Sequence, residues 1–197
     1  AAVVAIVAVA LGLIAGAILM AVIGGDPWAG YLNLMKGGLN GLARFGDTFG
    51  YATQLVLTGL SVAFAFRTGL FNIGGAGQML MGGLMATCVA LWLPLPKALV
   101  IPVMFVAAVL GGALWAAVPG VLKARFNVHE VVTTIMMNWV AYWAVYYFIP
   151  AYLKGGLETE SMTIPDTASL KVPWLAEVFG GSGSINLGIF IAAGAML

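Results

Sequence analysis

The chain has 197 residues, of which 62% are hydrophobic and 8% charged, with a formal net charge of +1. A soluble domain carries about 25% charged residues, so this composition belongs to an integral membrane protein, and the dispersed charges leave no basic surface that could hold nucleic acid. The lone cysteine, Cys88, excludes an internal disulfide and a cysteine-rich metal site, and inside an apolar run it reads as a small buried hydrophobe.

The chain opens on AAVVAIVAVA and stops inside the apolar NLGIFIAAGAML, and it reads as part of a longer polypeptide. The first apolar run, 1–23, exceeds the ~7–15 residues of a signal-peptide core. A membrane helix needs roughly 20 apolar residues, each contributing ~1.5 Å towards a ~30 Å hydrocarbon layer. That ruler predicts spans at 2–24, 50–70, 75–93, 98–121 and 129–152, with a sixth from Asn186 onwards. Helices rather than strands follow from the long uninterrupted runs.

Between the first two spans, segment 26–47 mixes Trp28, Tyr31 and Phe45 with Lys36, Arg44 and Asp47, and is expected to lie along the membrane interface. Pro94 and Pro96 mark a tight turn between the third and fourth spans. The stretch 153–185 holds Glu158, Glu160, Asp166 and Glu177 against Lys154 and Lys171, which makes it a sizeable, mildly acidic extramembrane loop. The basic pair Lys123 and Arg125 sits in a short loop that the positive-inside rule places in the cytoplasm. Alternation then puts 26–47 and 153–185 outside.

Ionisable residues within the spans are few, and each is a functional candidate because charge is expensive there. Arg67 can snorkel to the headgroups or face an internal cavity. Asn127 and Glu130 have the spacing of a capping box for the fifth span, and His129 beside them reads as a loop-end histidine. The GGSGS stretch from Gly180 to Ser184 resembles the glycine-flanked serine of intramembrane proteases only superficially, since no histidine follows Ser184 to activate it. No phosphate-binding lysine loop and no metal-spaced histidines occur. Recognition and passage remain as the chemistry.

The most informative stretch is RTGLFNIGGAGQ, 67–78. Gly74, Gly75 and Gly77 weaken a helix by about 1 kcal/mol each, and Asn72 favours a cap over a helix interior. The second and third spans therefore separate here. A break inside a membrane persists only where protein or water meets the freed backbone groups, and interrupted helices recur at transporter substrate sites. The plainer reading is a cytoplasmic turn whose glycines serve helix packing. Both stay open on these residues alone.

GLSVAFAFRTGLFNIGGAGQMLMGG followed by PGVLKARFNVHEVVTTIMMNWVA, with IPDTASL in the later loop, resembles the permease subunit of bacterial ABC importers of the nucleoside and simple-sugar type, related to the ribose and branched-chain amino-acid permeases. The likeness runs from about Gly24 onwards. It departs at Ala76, where the family usually has a glutamate. The resemblance implies an all-α polytopic helical bundle in a bacterial cytoplasmic membrane, one permease domain over 1–197 of a longer chain whose coupling helix lies beyond its end. It implies a second permease, cytoplasmic ATPase subunits and an extracytoplasmic substrate-binding lipoprotein as partners. No cofactor is then expected on this chain, and ATP and Mg belong to the ATPase. Along the substrate path Phe71 and Trp139 offer stacking faces, while Asn72, Gln78 and Asn138 offer amides to a base edge or a sugar hydroxyl. The competing class is a channel or secondary transporter, which would place ion-coupling side chains in the membrane. Only Arg67 and Glu130 qualify, both at helix ends. A purely structural anchor would not need the polar break.

Overall fold

The computed structural model describes residues 2–157, 160–171, 173–184 and 186–196. Glu158, counted among the acids of the outer loop, lies outside them. The chain forms two compact units, one of residues 1–52 with 171–189 and one of residues 53–170 with 190–197.

In the first unit, α1 (Ala2–Val22) is apolar on every face. It closes at Gly24, whose φ of 83° only glycine adopts freely, with Gly25 N donating to Met20 O at 2.8 Å. Asp26 then caps α2 (Pro27–Leu39), its carboxylate accepting from Trp28 N at 2.9 Å and Ala29 N at 3.3 Å, with Pro27 in the first turn, where its missing N–H costs nothing. α1 and α2 pack together: the Tyr31 hydroxyl donates to Leu13 O, and Gly16 makes room for that phenol.

Segment 26–47 is therefore not one interfacial element. α2 takes its first part, and after Gly41 (φ 93°) residues 42–47 already belong to α3 (Leu42–Arg67). The predicted span at 50–70 accordingly starts early, at Leu42, and ends at Arg67. Partners that the sequence does not advertise explain the early start. The Asp47 carboxylate accepts from Ser182 Oγ at 2.8 Å and from Ser184 N at 3.1 Å. Gly46 and Gly50 let that segment approach, since a Cβ at Gly50 would sit 2.6 Å from Ser184 O. The GGSGS stretch thus holds the start of α3. A six-residue helix, Pro173–Val178, leads into it with Leu175 buried.

In the second unit α3 continues from Thr53 and ends in a Schellman motif, with Gly69 N donating to Phe66 O at 3.1 Å and Leu70 N to Ala65 O at 3.0 Å. Gly69 takes φ 77°. After a non-helical run come α4 (Gly75–Trp92), α5 (Lys97–Phe126) and α6 (Glu130–Tyr152). α5 outruns its predicted 98–121 because LKARF continues the helix until Asn127, at φ 50° and ψ 31°, turns it off. α4 packs on α5 through glycines: a Cβ at Gly82 would lie 2.8 Å from Ala108 O, and one at Gly111 would lie 3.0 Å from Met81 O. Small residues that admit a neighbouring backbone are the usual solution where water supplies no driving force. Cys88 is buried, as its apolar run implied.

At the other end of α4 and α5, Ala90, Val100 and Ala168 form a buried cluster. Ala168 belongs to a 3-10 turn, Asp166–Ala168, so part of the acidic stretch between α6 and the last helix folds back onto α5. Its beginning is also ordered, as Lys154 and Ser161 form an antiparallel bridge and Met162 N donates to the carbonyl of the fully buried Leu153 at 2.8 Å. The last described helix, Gly188–Ala195, begins the predicted sixth span.

Among the described residues, Val3–Val22, Leu42–Arg67, Gly75–Trp92 and Lys97–Phe126 are long and apolar enough to cross a membrane. α6 has the length, 23 residues, but Asn138 and its several Trp and Tyr residues lower its hydropathy.

The two neighbouring glycines of α4 separate packing from composition. Gly82→Leu drives a side chain into the α5 backbone and should lower the detergent-solubilised unfolding midpoint by several degrees, an overpacking cost of roughly 1–3 kcal/mol or more. Gly83→Leu, where a Cβ meets nothing within 4 Å, should leave the midpoint nearly unchanged in the same fluorescence-detected melt.

Candidate translocation site

Where α3 ends and α4 begins, the backbone of residues 68–74 leaves helical geometry in a segment flanked by two membrane-length helices. A freed N–H or C=O needs a partner wherever protein buries it. Two asparagines meet three backbone groups at and beside the break. Asn72 Oδ1 accepts from Gly74 N at 2.8 Å, and Asn138, reaching over from α6, accepts from Gly77 N at 2.8 Å through Oδ1 and donates to Ile73 O at 2.9 Å through Nδ2. The second amide spans the break like a short rung. Gly77 must be glycine for this approach, since a Cβ would lie 2.9 Å from Asn138 Oδ1 and 3.0 Å from Asn138 Cα. Gly74 is equally tight, with Asn72 Oδ1 2.9 Å and Thr134 Cβ 3.2 Å from its missing Cβ.

Beside the break lies a cavity of about 510 Å³. Its apolar wall comes from Phe64 and Ala65 of α3, Leu70 and Phe71 of the break, and Ala116, Pro119, Gly120 and Ala124 of α5. Its polar lining is Thr68, Asn72, Gln78, Lys123, Glu130 and Thr134. Gln78 Nε2 stands 3.4 Å from Asn72 Oδ1, a long contact that leaves the Gln78 carbonyl oxygen for another donor. Lys123 and Glu130 pair at 2.9 Å across the short turn that Asn127 makes. A predominantly apolar wall with a few fixed amides and one ion pair suits a small neutral solute with a hydrophobic face and a polar edge.

Of the residues singled out in the sequence, Phe71, Asn72 and Gln78 come together here, Phe71 with its ring stacked on Phe66 at 4.7 Å. Asn138 does not line the cavity and instead secures the break. Trp139, next to it, is 60% exposed and packs against Tyr142, outside the cavity lining. The capping box fails: the residue before α6 is His129, which makes no side-chain cap, Asn127 terminates α5 instead, and Glu130 turns to Lys123. Asn127 stands in the left-handed conformation as the C-cap of α5, its N–H bonded to Leu122 O and Lys123 O. Arg67 is exposed at the end of α3 and Ala76 on the first turn of α4, and neither lines the cavity. Lys123 and Thr134 were missed as site residues. Pro119, inside α5 one turn before Lys123, was the available signal. Among the described residues no group of three or more His, Cys, Asp or Glu could hold a metal ion.

Residues 45–196 match the family described as branched-chain amino acid transport system permease component. The chain is 41% identical over 187 residues to the guanosine ABC transporter permease protein NupP of Bacillus subtilis, which covers 95% of this chain and 53% of the relative. It is 32% identical over 193 residues to the nucleoside ABC transporter permease protein NupB of Lactococcus lactis, with the same shares of 95% and 53%. The glucose ABC transporter permease protein TsgB13 of Haloferax volcanii is 37% identical over 148 residues, 74% of this chain and 38% of the relative. The chain thus spans about half the length of the two nucleoside permeases. No solved structure matches.

Removing the Asn138 amide tests the bridging role. Asn138→Ala removes the side-chain partner of Gly77 N and Ile73 O and should destabilise by roughly 2–6 kcal/mol, about 1–3 kcal/mol for each group. Asn138→Asp keeps the acceptor but loses the donor and should fall between the two, as read by thermal unfolding in detergent.

Proposed function

The chain belongs to the permease-component family of branched-chain amino acid transport systems, and on that premise we propose that it is the membrane subunit of an ATP-driven importer whose solutes are nucleosides. The observation that carries the solute class is the likeness, over 95% of this chain, to both a guanosine and a nucleoside permease. The cavity is consistent with it: Phe71 offers an aromatic face beside the amides of Asn72 and Gln78, which suits a base with donors and acceptors on its edge. A glucose permease matches over less of the chain, and its solute has no aromatic face to use.

In this reading the chain works in the bacterial inner membrane beside a second permease, above cytoplasmic ATPase subunits that hold ATP and Mg, and receives solute from an extracytoplasmic binding lipoprotein. It has no catalytic role of its own. The family assignment and the pairing of Glu130 with Lys123 favour external drive over a channel or secondary transporter. The ends of α3 and α5 that carry Arg67, Lys123 and Arg125 are assigned to the cytoplasm by the positive-inside rule. The ordered outer loop, with Glu160, Asp166 and Glu177, then faces the binding protein.

Proteoliposomes holding the full-length permease with its partner subunits should concentrate radiolabelled guanosine only with ATP inside. Gln78→Leu and Asn72→Ala should each cut that uptake at least tenfold while the ATPase still co-purifies. Wild-type uptake rates in both variants would remove the break from the solute path. Topology is checked independently in intact cells, where a thiol reagent should label Asp166→Cys and spare Arg125→Cys.

A further inference from the structure

The polar lining of the cavity falls into two groups about one helical turn apart. The first surrounds Gly74, where Asn72 Oδ1, Thr134 Cβ and Gln78 Nε2 lie 2.9, 3.2 and 3.3 Å from the position a Cβ would take. The second is the ion pair. Glu130 precedes Thr134 by four positions on the same face of α6, about 6 Å along the axis, and Lys123 of α5 meets it at 2.9 Å. Both groups line the same cavity.

What each group can offer a solute follows from what it already spends. Gly74 N can only donate, so Asn72 presents Oδ1 to it and keeps its Nδ2 donor. Gln78 Nε2, turned to the same Oδ1, leaves the Gln78 oxygen as an acceptor. The ion pair spends less. An ionised carboxylate has about four acceptor sites and an ammonium three donors, and the pair joins them through a single contact between Nζ and Oε2. The two side chains stay 35% and 21% exposed. Thr134 Oγ1 gives its proton to Glu130 O at 2.8 Å and so adds only an acceptor beside them. The result is a patch of cancelled charge with spare acceptors next to spare donors. A phosphate or carboxylate would meet the Glu130 charge and find Lys123 already neutralised. A vicinal diol suits the patch, since each hydroxyl both donates and accepts, and acidic side chains hold ribose hydroxyls in this way at dinucleotide sites.

We propose that Lys123 and Glu130 form the sugar subsite of the cavity. Glu130 accepts from one ribose hydroxyl and Lys123 donates to its neighbour, while Phe71, Asn72 and Gln78 hold the base one turn away. That the diol belongs to a nucleoside rests on the function proposed above; the subsite itself rests on the ion pair and its place in the cavity. A hydrogen bond to a charged group is worth roughly ten- to a hundredfold in affinity. The permease would therefore select ribonucleosides over their 2′-deoxy counterparts.

The test is equilibrium binding of radiolabelled guanosine to the full-length permease purified with its partner permease and ATPase. The binding lipoprotein is left out, so that its own selectivity does not enter. 2′-Deoxyguanosine, which lacks one hydroxyl of the diol, should compete roughly tenfold less well than guanosine. In Glu130→Gln, and in the double variant Lys123→Gln/Glu130→Gln, which leaves no unpaired charge, guanosine should weaken to the level of 2′-deoxyguanosine while the deoxynucleoside changes little. Equal competition by the two nucleosides in the wild type overturns the sugar subsite alone. So does a fall of both affinities by the same factor in the two variants, which is the result of an ion pair that only supports the fold. Wild-type binding and uptake of a sugar but of no nucleoside overturns the proposed function and, with it, the ribose named for the subsite.

Discussion

A buried backbone has to close its own hydrogen bonds, and the structure around residues 68–78 is organised by a stretch between two membrane-length helices where the chain does not do so helically. The Asn138 side chain takes both a donor and an acceptor from the break, Gly77 N and Ile73 O, at near-ideal distances. This ties α6 to the start of α4 and explains why glycines sit where a helix would prefer alanine. Asn72 adds a third bond by accepting from Gly74 N. Once those backbone groups are met, Gln78 and the outer side of Asn72 are left beside a cavity rather than consumed within the turn.

The surrounding helices can hold this arrangement because they approach closely without large side chains between them. Gly82, Gly111 and Gly112 bring α4 and α5 to backbone contact, and Trp115 Nε1 donates to Met137 O at 3.2 Å between α5 and α6. Dispersion across such contacts is individually small and collectively large. The ion pair of Lys123 and Glu130 adds a polar closure at one end of the cavity. It is partly exposed, so its role is to neutralise two charges near the apolar wall rather than to supply much stability.

The membrane class, the helical architecture and the break at 67–78 were all legible in the sequence, because each depends on composition or on glycine and asparagine acting locally. Element ends were less so. α3 starts at Leu42 because Asp47 finds Ser182 and Ser184, and α5 runs to Phe126 because nothing local stops it before Asn127. The motif spacing of Asn127 and Glu130 suggested one helix start, yet the two residues belong to opposite sides of a left-handed turn. For the site, Asn72 and Gln78 were readable as amides beside a break. The separation of Asn138 from Trp139, one bridging the break and the other on an aromatic face, needed the helical phase of α6 against α4, which adjacent letters cannot convey.

The bond between Asp47 and Ser182 has a consequence in time. The two residues stand 135 positions apart, and chains are made at about 5–20 residues per second. The first turns of α3 therefore wait about 7–27 seconds after their own synthesis for the partner that holds them. During that interval α4, α5 and α6 are made while the carboxylate of Asp47 lacks the serine that it later accepts from. The start of α3 is thus among the last parts of this chain to acquire its final contacts, and its placement reports that everything up to Ser184 has been delivered.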